Sequence, residues 1–543
     1  MDNNLLKEIS GFIDNLSSLP NIQTLGSYDL FHQAQIYSSN TKYKSLSFIS
    51  NVKNLCPSMT VYLGSAKVES DISTQKKRDI IKAAPSTISA ANKYLSKVPV
   101  IHSKHTLGSS DFEQNCSLYV SGSNKSSVHL LEMANRMLFE GNMENSSDLS
   151  VIVIPEWSEK ERQILVFPEI GVTYILGSDY FGEVKNSFLR MAIWKAKQAG
   201  MLGLHASTKL MRSKTLCGKL KNVGMVIFGI TSTGKTTHAC HDNGLNAEGE
   251  WVKVVQDDVV FWKEDGSALG SERGFYIKTD TLSPDIQPVL YAAALSEGAV
   301  LENVLVDYTG NINFESRELS SNAHAVVSRE DMREFVADNI NLPPISELDS
   351  LIMLFMTRSN TVVPIAAKLN PEQAASAFML SESIDASGGD QNRSDNSTKG
   401  INTNPFIIGS PADDINRFYN LLKLHQDKIE FYMLNTGGVG EIIDQNLDGT
   451  RKVRQKASRV SIPEMAAIIR GIARGTISWK EDDNWMLQTP EYVEGMDICK
   501  FSLESHYPQS KIDPIIAQIR LDRAAYSEQF SNLDIAIKKA IEF

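Results

Sequence analysis

The chain has 543 residues, 42% of them hydrophobic and 22% charged, so it can bury more than one core, and two domains are expected. A formal net charge of −11 and a pI of about 5.5 argue against nucleic acid as a partner, because a phosphate backbone selects a basic face. Five scattered cysteines (Cys56, Cys116, Cys217, Cys240, Cys499) without a C-x-x-C motif suit a reducing cytoplasm, and no run of 18 apolar residues predicts a membrane span.

In chain order, Leu5, Ile9, Phe12, Ile13 and Leu16 recur at helical spacing ahead of Pro20, which predicts a short amphipathic packing helix. From residue 117 a strand (117–122), a helix (127–139) and three strands (150–154, 164–167, 172–176) alternate. That order predicts an α/β domain built on a mixed sheet, with its boundary near residue 215. A turn over 180–185, a helix over 185–199 and a stretch containing His205 complete it.

The second expected domain, 216–543, opens with an apolar run, Val223 to Phe228, that reads as a buried strand and ends in Gly229. Gly234, Lys235 and Thr236 follow at the spacing G-x-x-x-x-G-K-T. In such a loop, backbone N–H groups from Gly229 through Ser232, Thr233, Gly234 and Thr237 wrap a polyphosphate. Lys235 reaches the outer phosphates and the Thr236 hydroxyl sits on Mg2+. A chance match in a Gly/Ser/Thr-rich turn is the competing reading, and the strand in front argues against it. Asp257 and Asp258 then interrupt the apolar stretch 252–260. Paired carboxylates soon after a phosphate loop suit a hard cation beside nucleotide phosphate, although two adjacent aspartates alone also make a solvated turn.

Farther on, 302–310 and 311–314 read as a strand and hairpin, and 351–357 and 431–435 as strands. Pro463 suits the first turn of a helix running to 474, and 512–530 reads as a scaffold helix. Residues 384–405, rich in Gly, Asp, Asn and Ser, are either an idle insertion or a mobile lid. No internal repeat is present.

The segments 180–185, 204–207, 229–237, Asp257-Asp258, 272–279, 301–304, 434–437 and 459–462, in this order along the chain, resemble the ATP-dependent phosphoenolpyruvate carboxykinases over roughly residues 115–530. The resemblance implies a two-domain carboxykinase-like α/β fold with a phosphate-loop C-terminal domain and a mixed-sheet N-terminal domain, and a lid near 384–405. It implies ATP with Mg2+ and Mn2+, and the reaction of oxaloacetate and ATP to phosphoenolpyruvate, ADP and CO2. It assigns His205 and Asp258 to the metal, with Thr236 and, where the family has lysine, Asn186 beside Lys185. Lys278 is assigned to the transferred phosphoryl group, together with Lys235, Asp257 and Lys185 as catalytic groups. Arg459 is assigned to adenine or ribose, and Tyr180 and His324 to the acceptor.

Three positions depart from the family pattern. No arginine stands near Ser65, where a substrate arginine is expected; His324 replaces a second arginine; and Asn186 replaces the metal-site lysine. Arg317 and Arg329 are the nearest substitutes in sequence. Besides the carboxykinase reaction, two alternatives follow: a small-molecule kinase of the same fold with another acceptor, or a nucleotide-binding switch without catalysis. The expected partner is a small-molecule substrate, and a monomer is favoured.

Overall fold

The computed structural model describes residues 3–68, 74–109, 111–122, 125–159, 162–230, 233–380, 382–384, 397–399, 406–445 and 451–543. Most of the expected lid (384–405) and Ser232 of the phosphate loop lie outside the described residues. Two compact units form: Met1–Gly203 with Leu269–Arg333 and Phe406–Ser410, and Leu204–Ala268 with Glu334–Pro405 and Pro411–Phe543. The expected boundary at 215 therefore differs from the observed one in two ways. The strand Leu202–Lys214 belongs mostly to the second unit, whose sheet it enters, and residues 269–333 return to the first.

The first unit is built on a mixed sheet whose strands run in the order Ile22–Thr24, Val100–Ser109, Phe112–Ser121, Leu149–Ile154, Val172–Leu176, Gln163–Phe167, Thr60–Tyr62. The alternating strand–helix pattern of the sequence anticipates this mixture of parallel and antiparallel neighbours. The helix Asn3–Leu16 buries Leu5, Ile9 and Leu16. With Ile80, Ala84, Ile88 and Ala91 of the helix Gln75–Leu95 they cover Ile152, Leu165, Phe167 and Tyr174 of the sheet. Where a turn was expected over 180–185, the helix Phe181–Gln198 already begins, because the Glu302 carboxylate accepts the otherwise orphan N–H of Phe181 at 2.9 Å.

A smaller sheet in the same unit orders Phe275–Lys278, His324–Val327, Val300–Glu302, Leu46–Phe48 and Ser39–Asn40. Its register sets Lys278 and Glu302 on either side of His324. The strand Val300–Glu302 runs parallel to Leu46–Phe48, and this pairing draws residues 269–333 into the first unit.

In the second unit the strand Leu220–Phe228 lies antiparallel to Leu202–Lys214 and parallel to Ser350–Thr357, which in turn runs parallel to Ile429–Asn435. An aromatic core anchors the end of that strand. Phe228 stacks on Phe355 at 4.9 Å and meets Phe378 and Phe418 edge-on, from the helices Pro371–Leu380 and Pro411–Leu424. The loop beginning at Gly229 thus starts from a strand end packed among aromatic rings. No helix among the described residues is long and apolar enough to cross a membrane.

Two histidines in the first unit's sheet make its stability depend on pH. His102 is enclosed by Thr24 Oγ1 (2.9 Å) and Ser117 Oγ (3.0 Å), and His105 meets Ser103 Oγ at 2.7 Å. Burial pushes His102 down to about 3, assisted by Lys104 and His105, and pushes His105 down to about 4. The unfolded chain takes up protons near 6.5 whereas the folded one does not, so this stability is whole above 6.5 and is lost as pH falls toward 4. Urea midpoints measured between pH 7.5 and 4.5 are expected to fall, and to fall less in His105→Gln. Equal pH slopes for the two proteins contradict this.

Candidate active site

The turn between the strands Trp251–Gln256 and Val259–Trp262 carries Asp257 and Asp258. Asp258 has a backbone φ of 80°, a left-handed conformation uncommon for a residue with a Cβ and concentrated at functional sites. Its Oδ1 accepts from Lys235 Nζ at 2.8 Å and lies 2.9 Å from His205 Nε2. Asp257 is buried and points to different partners: Oδ2 accepts from Thr236 Oγ1 at 3.0 Å and Oδ1 from the hydroxyl of Ser207. The two adjacent carboxylates therefore divide the work. One faces the lysine and the imidazole, and the other anchors the threonine to the strand Leu202–Lys214.

The loop itself is held from beneath. Thr233 Oγ1 donates to Ile230 O at 2.7 Å, and Thr436 Oγ1, at the end of Ile429–Asn435, donates to Thr233 O at 2.7 Å. Gly234 precedes the short helix Lys235–Ala239 at φ 92°, a conformation open to glycine. A Cβ at Gly229 would strike the Thr233 hydroxyl. Arg459 is exposed and pairs with Gly438 in a two-stranded ladder. Burial, and then the charge of Arg459, hold Arg358 below the ordinary guanidinium value.

In the first unit a hydrogen-bonded network surrounds His324. Tyr276 stacks on it with ring centroids 4.2 Å apart and planes within 4°. The Tyr276 hydroxyl donates to Glu302 Oε2 at 2.9 Å and lies 3.2 Å from the Tyr180 hydroxyl, which accepts from Asn322 Nδ2 at 2.9 Å. His324 Nδ1 lies 3.0 Å from Asn322 O. Burial pushes the Glu302 carboxyl up to about 8 against the hydrogen bonds from Phe181 and Tyr276, with Asp179 adding to the rise and Lys53 opposing it. The same burial raises both tyrosines. Lys278 Nζ lies 3.4 Å from Asp280 Oδ2, which also accepts from Arg317 at 3.2 Å.

A family model described as phosphoenolpyruvate carboxykinase matches residues 62–498. The chain is 30% identical over 404 residues to a phosphoenolpyruvate carboxykinase (ATP) of Aeropyrum pernix, covering 74% of this chain and 76% of that one. The chain belongs to the phosphoenolpyruvate carboxykinase (ATP) family. Proteins of the same name from Rhizobium leguminosarum bv. trifolii (26% over 370 residues, 67% of this chain and 60% of that one) and Shouchella clausii (27% over 286 residues, 52% and 50%) are also similar. The chain is an enzyme of this kind.

Within this carboxykinase chain, Lys235, Thr236, Asp257, Asp258 and His205 converge as one cluster of the second unit. Tyr180 and His324 share the network of the first unit. Lys185 is buried 3.6 Å from Glu272 and 6.0 Å from the centre of the Tyr276 ring, and Asn186 follows it on the helix Phe181–Gln198. Ser65 is taken up by Glu169, donating through its hydroxyl at 2.6 Å and its N–H at 2.9 Å. Arg329 lies over the Phe275 ring, whereas Arg317 reaches Asp280 beside Lys278. Sequence reading missed Ser207, Arg358, Tyr276 and Glu302 as site groups. Ser207, Tyr276 and Glu302 lie inside the segments 204–207, 272–279 and 301–304 that carry the family resemblance, and Arg358 directly follows a strand expected to end at the cleft.

Ser207 offers a test of the cluster. Losing a hydrogen bond to a carboxylate costs about 1.5–3 kcal/mol, roughly ten- to hundredfold in binding. Ser207→Ala is expected to weaken MgATP binding by that factor, measured by calorimetry, while Ser213→Ala on the same strand, whose hydroxyl meets Ala473 O instead, leaves it unchanged. Equal affinities for the two variants contradict the clamp.

Proposed function

We propose that this chain converts oxaloacetate and ATP to phosphoenolpyruvate, ADP and CO2 with a divalent metal ion, Mn2+ or Mg2+. The observation that carries this reading is the convergence of Lys235, Thr236, His205 and the two aspartates on one turn of the second unit. Phosphoryl transfer asks for little covalent help and much positioning, and this is a positioning cluster.

His205 Nε2 and the Asp258 carboxylate are the groups proposed to hold the metal, with the Thr236 hydroxyl as a neutral oxygen donor. The donor set suits a hard or borderline cation. Among the described residues no three His, Cys, Asp or Glu side chains gather as a metal cluster, so neutral oxygens have to complete the coordination. When bound, the metal neutralises negative charge on phosphate and enolate oxygens.

Lys235 is proposed to transfer its donation from Asp258 to the outer phosphates of ATP. Asp257 keeps Thr236 oriented while this happens, since its two oxygens are engaged away from Lys235. Lys278 and Arg317, which meet on Asp280, are the first unit's candidate cations for a negatively charged substrate group. Arg459 is proposed for the nucleotide's base or ribose. Tyr180 and His324 face the acceptor, and the Tyr276–Glu302 pair keeps both in register.

The acceptor is held with fewer fixed charges than the family pattern supplies. Each charge-assisted bond to a carboxylate contributes about 1.5–3 kcal/mol, so two absent arginines weaken oxaloacetate binding by ~3–6 kcal/mol, roughly two to four decades. Arg317 offsets part of that if its guanidinium leaves Asp280. Phosphoenolpyruvate formation from ATP and oxaloacetate with Mn2+ is therefore expected at measurable kcat with a high KM for oxaloacetate. Transfer of labelled phosphate to a polyol or sugar from a screening panel, with no phosphoenolpyruvate formed, overturns this reading in favour of a kinase with another acceptor.

A further inference from the structure

The strand Leu202–Lys214 carries His205 and Ser207, whose side chains reach Asp258 and Asp257, and two residues farther on it carries Lys209. Alternation along a strand returns every second side chain to one face, so Lys209 continues the row that begins with the imidazole and the serine. The register with Trp251–Gln256 slips between Thr208 and Lys209, an irregularity of the kind that re-aims side chains beside active sites.

Lys209 is completely buried, which is rare for a lysine, and its Nζ donates to His238 O at 2.8 Å and to His241 O at 3.3 Å. These carbonyls belong to the end and the exit of the helix Lys235–Ala239, whose first residues are Lys235 and Thr236. A helix of five residues satisfies few of its own carbonyls: Cys240 N returns to Thr236 O, and His238 N to Gly234 O. The last carbonyls need an outside donor, and the negative end of the helix favours a cationic one.

We propose that Lys209 is a positioning residue for phosphoryl transfer, locking the exit of the phosphate-loop helix so that Lys235 and Thr236 at its entry keep their places. The inference rests on the phosphate-loop reading above and adds a residue to it. The groups facing the lysine are His238, His241, Cys240 and Asp242. Burial pushes the ammonium down to about 7, opposed by Cys240 and Asp242, and pushes His238 down to about 3, assisted by Lys209 and His241. The role is insensitive to the protonation of Lys209, because the amine donates N–H bonds in both forms.

The test uses the full chain. Lys209→Met keeps the length of the side chain and removes the donors, whereas Lys209→Gln keeps an amide donor and guards against a fold lost through the methionine. Amide hydrogen exchange in the nucleotide-free protein is read at the two helix amides, His238 within the helix and Cys240 capping its end, and at Val226 and Ile227 in the neighbouring strand. Lys209→Met is expected to lose at least tenfold protection at the two helix amides with strand protection unchanged, and to bind MgATP at least tenfold more weakly, with Lys209→Gln between it and the wild type. Wild-type protection and affinity in Lys209→Met overturn the inference. So does equal loss of protection in helix and strand, which marks a merely structural lysine. A wild-type chain that binds no MgATP refutes the phosphate-loop reading, while the exchange data still decide whether Lys209 holds the helix.

Discussion

The cluster around Lys235 and Thr236 in the second unit depends on one carboxylate. Asp258 sits in a left-handed backbone conformation that costs of order 1–3 kcal/mol, and the turn bearing it is held by two flanking strands and by the clamp on Asp257. What the strain secures is direction: two successive carboxylates point to different partners, one to Thr236 and Ser207, the other to Lys235 and His205. An ordinary turn would leave both in water. The lysine–carboxylate contact at 2.8 Å also keeps a largely buried ammonium compensated, since an uncompensated charge at that depth is costly.

The network around His324 in the first unit is organised differently. Its centre is Glu302, completely buried, its carboxyl pushed up to about 8 by that burial and both its oxygens accepting hydrogen bonds. It fixes the start of the helix Phe181–Gln198 through the Phe181 N–H and fixes Tyr276 through its hydroxyl, and Tyr276 in turn fixes the plane of His324.

That Lys235, Thr236 and the two aspartates belong together was legible in the sequence. The apolar run ending in Gly229, the G-K-T that follows it and the two aspartates carry their chemistry in local spacing, and the strand Leu220–Phe228 formed where periodicity put it. The roles of Ser207, although it ends the segment 204–207, and of Lys209 were not legible, because a lone serine or lysine inside an apolar strand has no pattern of its own. Their meaning comes from Asp257 and from His238, each more than 25 residues away in sequence. The early start of the helix at Phe181 follows from a carboxylate 121 residues downstream. The return of residues 269–333 to the first unit follows from a parallel pairing with Leu46–Phe48. Non-local contacts of this kind override local preference, and no reading of adjacent residues anticipates them.

If Asp258 is the pivot of the donor site, Lys235 and a metal ion compete for the same oxygen before nucleotide arrives. Mn2+ binding measured by electron paramagnetic resonance, without ATP, tests that directly in the wild type and in Lys235→Met. Removing the ammonium is predicted to tighten Mn2+ binding severalfold by freeing Asp258 Oδ1 from a cation 2.8 Å away. Unchanged or weaker Mn2+ binding in the variant would contradict the account.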